Sequence, residues 1–178
     1  SSSAASDVYK RQVQGYIALA GAGRYREALA LIRRDNVLPG ICGRICTHPC
    51  ETACKRGQID EPVAIAGLKR FAADGPWRQQ ASPLRSAKKK PKVAIVGSGP
   101  AGLSAAHFLA LLGHPVTVYE KLPVLGGMMA VGIPAYRLPR DVLADEVGAI
   151  AGLGVEMRTG VCFGRDFTLQ SLEDEGFK

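Results

Sequence analysis

The stretch from Val93 to Glu120 constrains the fold more than any other part of this sequence of 178 residues. A short β-branched run at Val93–Val96 is followed by a glycine-rich turn, an apolar segment over 101–112 and a second β-branched run over 116–119. A buried strand, a helix that ends at Gly113 and a second buried strand produce this pattern. The sequence therefore predicts a βαβ unit with parallel strands and a right-handed crossover.

The turn between the first strand and the helix matches the pattern G-x-G-x-x-G. Gly97 permits the tight turn, Gly99 lets the backbone approach a pyrophosphate, and Gly102 lets the helix pack closely on the strand. The helix N-terminus supplies amide donors, and an acidic residue at the end of the second strand accepts ribose hydroxyls. We therefore predict a dinucleotide site formed by Gly97, Ser98, Gly99, Pro100, Ala101, Gly102, Glu120 and Lys121.

A second glycine pair, Gly126-Gly127, follows soon after the acidic residue. The dinucleotide could be FAD or NAD(P), and such a pair is typical of flavoproteins that bind two dinucleotides, although a plain turn also explains it. On the flavin interpretation, Gly127 and Met128 lie along the flavin. Arg137 then reaches a phosphate or the isoalloxazine, or else forms an exposed salt bridge.

Four of the five cysteines, Cys42, Cys46, Cys50 and Cys54, recur at every fourth position. In a chain without a signal peptide, this regularity favours metal binding over disulfides. The run lacks the long spacer of structural zinc sites, so it favours an iron–sulfur cluster, with zinc or reactive thiols as alternatives. Pro49 prevents one uninterrupted helix, and His48 is either a polar loop residue or a further ligand. Arg44, Lys55 and Arg56 either offset cluster charge or form a solvated basic face.

The remaining pattern divides the chain into four parts. Residues 1–12 resemble a tag or processing segment, 13–79 are helical and carry the cysteine run, 80–91 form a linker, and 92–178 form a Rossmann-like domain. Further helices are predicted at 142–153 and 169–175, with a strand at 155–157. The predicted fold class is a helical domain followed by the start of an α/β domain. Both ends of the sequence look cut, so we expect a fragment of a longer chain.

Composition excludes several classes of protein. The net charge of +7 is concentrated in the first half, much of it in the lysines of the linker, and only 6% of residues are aromatic. This argues against a base-stacking surface for nucleic acid. No stretch approaches the roughly 18 apolar residues that span a bilayer, and no signal peptide is evident. We predict a cytoplasmic protein that binds neither nucleic acid nor membrane.

With both motifs in place, the sequence resembles the small subunit of NADPH-dependent glutamate synthase and the N-terminal part of dihydropyrimidine dehydrogenase. The matching segments are GYIALAGAGRYREALALIRRDNVLPGICGRICTHPCETACKRG, EPVAIAGLKRF, KVAIVGSGPAGLSAAHFLALLGHPVTVYEK and LGGMMAVGIPAYRLPRDV. The later segments occur in many flavoproteins. Their order after a cysteine-rich helical segment is far more specific.

The resemblance implies a helical domain that holds two [4Fe–4S] clusters, an FAD-binding domain and an inserted NADPH-binding domain. Electrons would pass from NAD(P)H through FAD and the clusters to a partner subunit or fused domain. An earlier cysteine motif of the family is missing, since no cysteine precedes Cys42. Cys42, Cys46, Cys50 and Cys54 would then serve two clusters in the parent protein, and we expect this chain alone to be inactive. The alternative is a zinc- and nucleotide-binding regulatory module without redox activity.

Overall fold

The computed structural model describes residues 13–76 and 90–177. The chain divides into two units, Ser1–Ala81 and Ser82–Lys178, and each is considered by itself. The tag-like segment 1–12 and most of the predicted linker lie outside the described residues. The domain boundaries drawn from the sequence stay a prediction.

The first unit consists of short helices joined by turns. Helix α1 covers 13–21. It is followed by α2 (Tyr25–Arg33), α3 (Pro39–Ile45), α4 (Pro49–Thr52), a 3₁₀ turn (Lys55–Gln58) and α5 (Ile65–Asp74). Proline is the first residue of both α3 and α4. Its fixed φ suits that position, where the missing N–H has no helical partner to lose.

The first unit closes around one apolar core. Helix α2 buries Ala28, Leu29 and Ile32, which share one helical face, against Tyr16 of α1 and residues of α5. Helix α3 approaches α5 closely at Gly43, where an added Cβ would lie only 2.8 Å from the Cβ of Arg70. The helices that carry the cysteine run therefore pack on α5.

The second unit is built on a parallel sheet of three strands in the order β1-β2-β3. Strand β1 (Val93–Val96) pairs with β2 (Val116–Glu120), which pairs with β3 (Glu156–Thr159). All five residues of β2 are buried, as expected for the central strand of a parallel sheet. The carboxyl ends of β1 and β2 lie side by side, since Val96 is opposite Tyr119.

Helices connect the strands as the sequence predicts. Helix α6 (Pro100–Leu111) joins β1 to β2, and the one-turn helix α7 (Met128–Val131) and α8 (Arg140–Ala151) lie between β2 and β3. Gly113 ends α6 in the left-handed conformation, with φ of 93°. Helix α9 (Leu169–Asp174) begins with a reciprocal capping box between Thr168 and Ser171. The predicted order of a helical domain and then a Rossmann-like α/β domain is confirmed.

Over the described ranges, none of the helices combines the length and the apolar character that crossing a membrane requires.

Candidate functional site

The glycine turn after β1 has the geometry that its sequence predicts. Gly97 has a φ of 99°, and its amide donates to the carbonyl of Tyr119 at 2.8 Å, which ties the turn to β2. A Cβ at Gly102 would lie 2.0 Å from the carbonyl oxygen of Gly97 and 3.3 Å from Ile95. Gly102 is therefore required by the close approach of α6 to the turn and strand.

Open space lies beside the other two glycines. A Cβ on Gly97 or Gly99 would meet no atom within 4 Å, and Gly99 has an ordinary extended backbone as the N-cap of α6. Pro100 and Ala101, in the first turn of this helix, are exposed. The backbone thus provides an accessible helix N-terminus flanked by side-chain-free surface, which fits the pyrophosphate of a dinucleotide.

Ser98 and Glu120 form a buried network at the base of the turn. Ser98 is completely buried and Glu120 is 5% exposed. The Ser98 amide donates to Oε2 of Glu120 at 2.9 Å, and the Ser98 hydroxyl donates to the same oxygen at 2.6 Å. The Leu122 amide donates to Oε1 at 2.9 Å. The predicted ribose-binding carboxylate is thus held against the glycine turn.

Glu120 is held in its ionised form. Burial is the largest single influence and by itself raises the pKa of the carboxyl. The hydrogen bonds from Ser98 and from the Leu122 amide, with the smallest contribution from the Lys121 amide, together outweigh burial, so the pKa of Glu120 lies below its ordinary value. The group is therefore an acceptor at neutral pH, as a ribose hydroxyl requires.

The second glycine pair packs on the first turn. Gly126 and Gly127 both have positive φ, and the Gly126 amide donates to the Ser98 hydroxyl at 3.0 Å. A Cβ at Gly127 would lie 2.9 Å from the Cα of Gly99. The two glycine segments, distant in sequence, therefore form one continuous surface.

The remaining predicted residues of this site are exposed, and one residue that holds the site was missed. Lys121, Met128 and Arg137 point largely to solvent.

Arg140 was not predicted, yet its guanidinium donates to the carbonyls of Met129 at 2.9 Å and Ile133 at 2.8 Å. It fixes the turn that follows Gly127. A long cation at a helix start gives no signal for this role in the sequence.

The four cysteines occupy separate turns of the first unit. Cys42 lies within α3, Cys46 follows its end, Cys50 lies within α4 and Cys54 precedes the 3₁₀ turn. His48 interrupts the run with a left-handed backbone of φ 56°. Because the cysteines belong to separate turns and not to one helix, their spacing of four residues does not place the thiols on one helical face. None of these four cysteines forms a disulfide, and all four are partly buried.

Polar contacts hold this segment to its neighbours. One carboxylate oxygen of Glu51 accepts from the Ala66 amide in the first turn of α5 at 2.7 Å, and the other lies 3.3 Å from Nδ1 of His48. Arg44 donates to Asp74 at 2.8 Å, also on α5, and to the carbonyl of Gly40 at 2.9 Å. The charge of Arg44 is thus paired within the helical unit.

The surroundings favour thiolate at Cys54. Hydrogen bonds from the backbone of Val63, and then of Arg56 and Gly57, lower the pKa of this thiol, with a further contribution from the charge of Arg56. Tyr16 in the core behaves oppositely. Burial, together with the negative charges of Cys50 and Glu51, raises the pKa of its hydroxyl, which stays protonated.

The thiols suit iron or zinc by their chemistry, but they do not converge. Over residues 13–76 and 90–177, no three side chains of His, Cys, Asp or Glu come together in a group that could hold a metal ion. The thiols therefore fit such a metal by their chemistry and not by the geometry of the described residues.

Comparison with known families matches both units. Residues 8–81 match the family described as dihydropyrimidine dehydrogenase domain II, 4Fe-4S cluster. Residues 95–137 match the NAD(P)-binding Rossmann-like domain. The second match covers the glycine turn, Glu120 and the second glycine pair.

Three similar curated proteins come from bacteria. The NADP(+)-dependent formate dehydrogenase subunit beta of Moorella thermoacetica is 47% identical over 90% of this chain and 26% of its own length. The NADPH-Fe(3+) oxidoreductase subunit beta of Geobacter sulfurreducens is 45% identical over 92% and 25%. The NAD-dependent dihydropyrimidine dehydrogenase subunit PreT homolog of Salmonella typhi is 40% identical over 85% and 37%. The chain thus spans about a quarter to two fifths of these relatives.

The fold and motifs define a class of protein in which a helical iron–sulfur domain precedes a Rossmann-like nucleotide-binding domain. Over nearly its whole length the chain is similar to subunits of NADPH- and NAD-dependent oxidoreductases, which confirms the resemblance seen in its sequence.

Proposed function

We propose that this chain is the part of an NAD(P)H-dependent oxidoreductase that binds FAD and contributes ligands to [4Fe–4S] clusters, and that the whole protein passes electrons to a partner subunit. One observation carries the proposal: a single chain joins an iron–sulfur domain with four cysteines outside any disulfide to a dinucleotide cradle with open space at Gly97 and Gly99. Relatives that are named as subunits of oxidoreductases support the partner.

Each group of proposed binding residues has its own role. The backbone from Gly99 to Gly102 holds the pyrophosphate at the start of α6, and Glu120 accepts a ribose hydroxyl. Bound FAD would supply two-electron acceptance from NAD(P)H and single-electron release. The thiolates of Cys42, Cys46, Cys50 and Cys54 ligate iron, and the family resemblance favours two clusters that share further cysteines of the parent protein.

FAD is proposed over NAD(P) for this cradle because of the second glycine pair. Gly127 lies against Gly99, so the surface beside the pyrophosphate site continues past α6. A ligand that extends along this surface beyond its pyrophosphate suits the arrangement. Met128 and Arg137 are both exposed, and we propose that they contact the flavin part of the ligand. The family description names NAD(P), and flavin release is the direct test between the two.

The first experiment measures cofactors in the full-length parent protein prepared without oxygen. Iron, acid-labile sulfide, zinc and released flavin are determined on the same sample. We expect equal iron and sulfide together with one FAD per chain. Zinc without sulfide would instead support the alternative, a regulatory module that binds zinc and a nucleotide without redox activity.

Two variants separate the two sites. Cys50→Ser should lower iron and sulfide and leave FAD in place, while Cys162→Ser, the matched control in the other unit, should retain both. Loss of iron in Cys162→Ser to the same extent would contradict the ligand assignment.

Gly99→Val should remove FAD and retain iron, because the added side chain occupies open space that the pyrophosphate needs and strains no backbone. We expect FAD affinity to fall about 10- to 100-fold. The control is Gly148→Ala, whose Cβ also meets nothing within 4 Å but lies in α8. Unchanged FAD content in Gly99→Val would sink the pyrophosphate assignment.

A further inference from the structure

Ser98 belongs to the dinucleotide motif, yet its hydroxyl is bonded to groups of this chain, Glu120 and the Gly126 amide. The residue is completely buried. Both of its donors, the amide and the hydroxyl, are directed at Oε2 of Glu120, at 2.9 and 2.6 Å. Ser98 therefore has no donor left for a phosphate.

The Ser98 contacts determine which oxygen of Glu120 can serve a ligand. A carboxylate oxygen accepts about two hydrogen bonds, so the two donors of Ser98 saturate Oε2. A ribose hydroxyl can then donate only to Oε1, which already accepts from the Leu122 amide. With Glu120 only 5% exposed, the carboxylate cannot turn to offer another oxygen without breaking these bonds.

The same hydroxyl also holds the second glycine segment. It accepts from the Gly126 amide at 3.0 Å while it donates to Glu120. Serine is suited to this position because a hydroxyl donates and accepts at once, and because the site has no solvent-facing room. One oxygen atom thus links the turn after β1, the end of β2 and the Gly126-Gly127 segment.

We propose that Ser98 is a positioning residue for dinucleotide binding, which fixes the Glu120 carboxylate so that Oε1 receives a ribose hydroxyl. The inference rests on the proposed function, since it needs the cradle to bind a dinucleotide. A purely structural role for Ser98 would affect binding of the whole ligand, whereas the proposed role affects recognition of the ribose in particular.

The test uses the full-length protein freed of flavin, with ADP and 2′,3′-dideoxy-ADP as probes. The ratio of their dissociation constants measures recognition of the ribose hydroxyls and cancels general loosening of the cradle. In wild type we expect a clear preference for ADP. In Ser98→Ala we expect that preference to fall roughly threefold to tenfold, the equivalent of one hydrogen bond lost.

Ser98→Cys provides the conservative variant, because a thiol keeps a weak donor and a weak acceptor. We expect an intermediate ratio, and this variant alone decides the matter if Ser98→Ala does not fold. Gly148→Ala is the control and should keep the wild-type ratio. A wild-type ratio in the serine variants, with both probes weakened equally, would overturn the positioning role.

Failure of the proposed function gives a different result. If wild-type protein releases no flavin and binds neither probe, then the dinucleotide cradle itself is wrong. If wild type binds FAD but does not prefer ADP over the dideoxy probe, then the cradle stands and the ribose role of Ser98 and Glu120 is overturned.

Discussion

The two candidate sites, the glycine turn and the cysteine run, are organised differently. In the glycine turn, the network of Ser98, Glu120 and Gly126 has its hydrogen bonds satisfied within the chain, and the carboxylate is already held in place. In the cysteine run the four thiols lie on separate turns, and the described residues bring no three potential ligands together. The glycine site is held by backbone amides and one buried carboxylate, which hydrogen bond to each other without a ligand, whereas a four-thiolate site needs four side chains to converge on one point.

The largest expected effect tests the close packing of the glycine turn. Gly102→Ala places a Cβ 2.0 Å from the carbonyl oxygen of Gly97, so the turn or the start of α6 must shift. We expect a loss of about 3 kcal/mol or more in the free energy of unfolding of the second unit. Chemical denaturation followed by circular dichroism measures it.

Gly148→Ala is the matched control, since it adds the same methyl group to a helix where nothing lies within 4 Å. It should stabilise the protein by about 0.5–1 kcal/mol, the difference in helix propensity. Equal stability of the two variants would show that the turn is less tightly packed than the structure has it.

A smaller effect is expected where the cysteine run is attached to α5. Glu51→Ala removes the acceptor of the Ala66 amide at the start of that helix, and we expect a loss of about 1–2 kcal/mol. Glu61→Ala, an exposed glutamate nearby, serves as the control and should change the stability little. Hydrogen exchange at the Ala66 amide gives a local readout, and unchanged protection there would contradict the contact.

The smallest effect concerns the pH dependence of the second unit. The pKa of Glu120 is lower in the folded protein than its ordinary value. The resulting stabilisation is complete above the ordinary pKa of a glutamate, about 4.5, and is lost as the pH falls through the lower folded value. Urea unfolding at a series of pH values between about 6 and 3 should show this decline, and Glu120→Gln should flatten it. A variant with the same decline as wild type would exclude Glu120 as its source.

These tests sharpen the contrast between the two regions. The glycine turn should respond to added volume and to the charge of one buried carboxylate. The cysteine run should respond to loss of a side-chain contact with α5, which holds it in place. If Gly102→Ala and Glu51→Ala lowered the free energy of unfolding equally, this contrast between the two regions would be wrong.

Much of this protein can be read from its sequence, because the relevant signals are local. The β-branched runs, the apolar segment and Gly113 set the βαβ unit, and the bounds of α6 and β2 differ from the predicted ones by a single residue. The cysteine spacing indicated an iron–sulfur domain, which the family comparison confirms. Steric limits on glycine and proline act within a few residues, so they are visible without the fold.

Only the tertiary structure decided how these segments meet. Three contacts join residues far apart in the sequence or leave no local pattern. Gly127 packs on Gly99, both Ser98 donors bond to Glu120, and Arg140 donates to carbonyls of the turn after Gly127. The placement of the four cysteines on separate turns likewise depends on the left-handed backbone at His48 and on contacts with α5. Such contacts arise from the packing of whole elements, and neither the spacing nor the propensity of single residues specifies them.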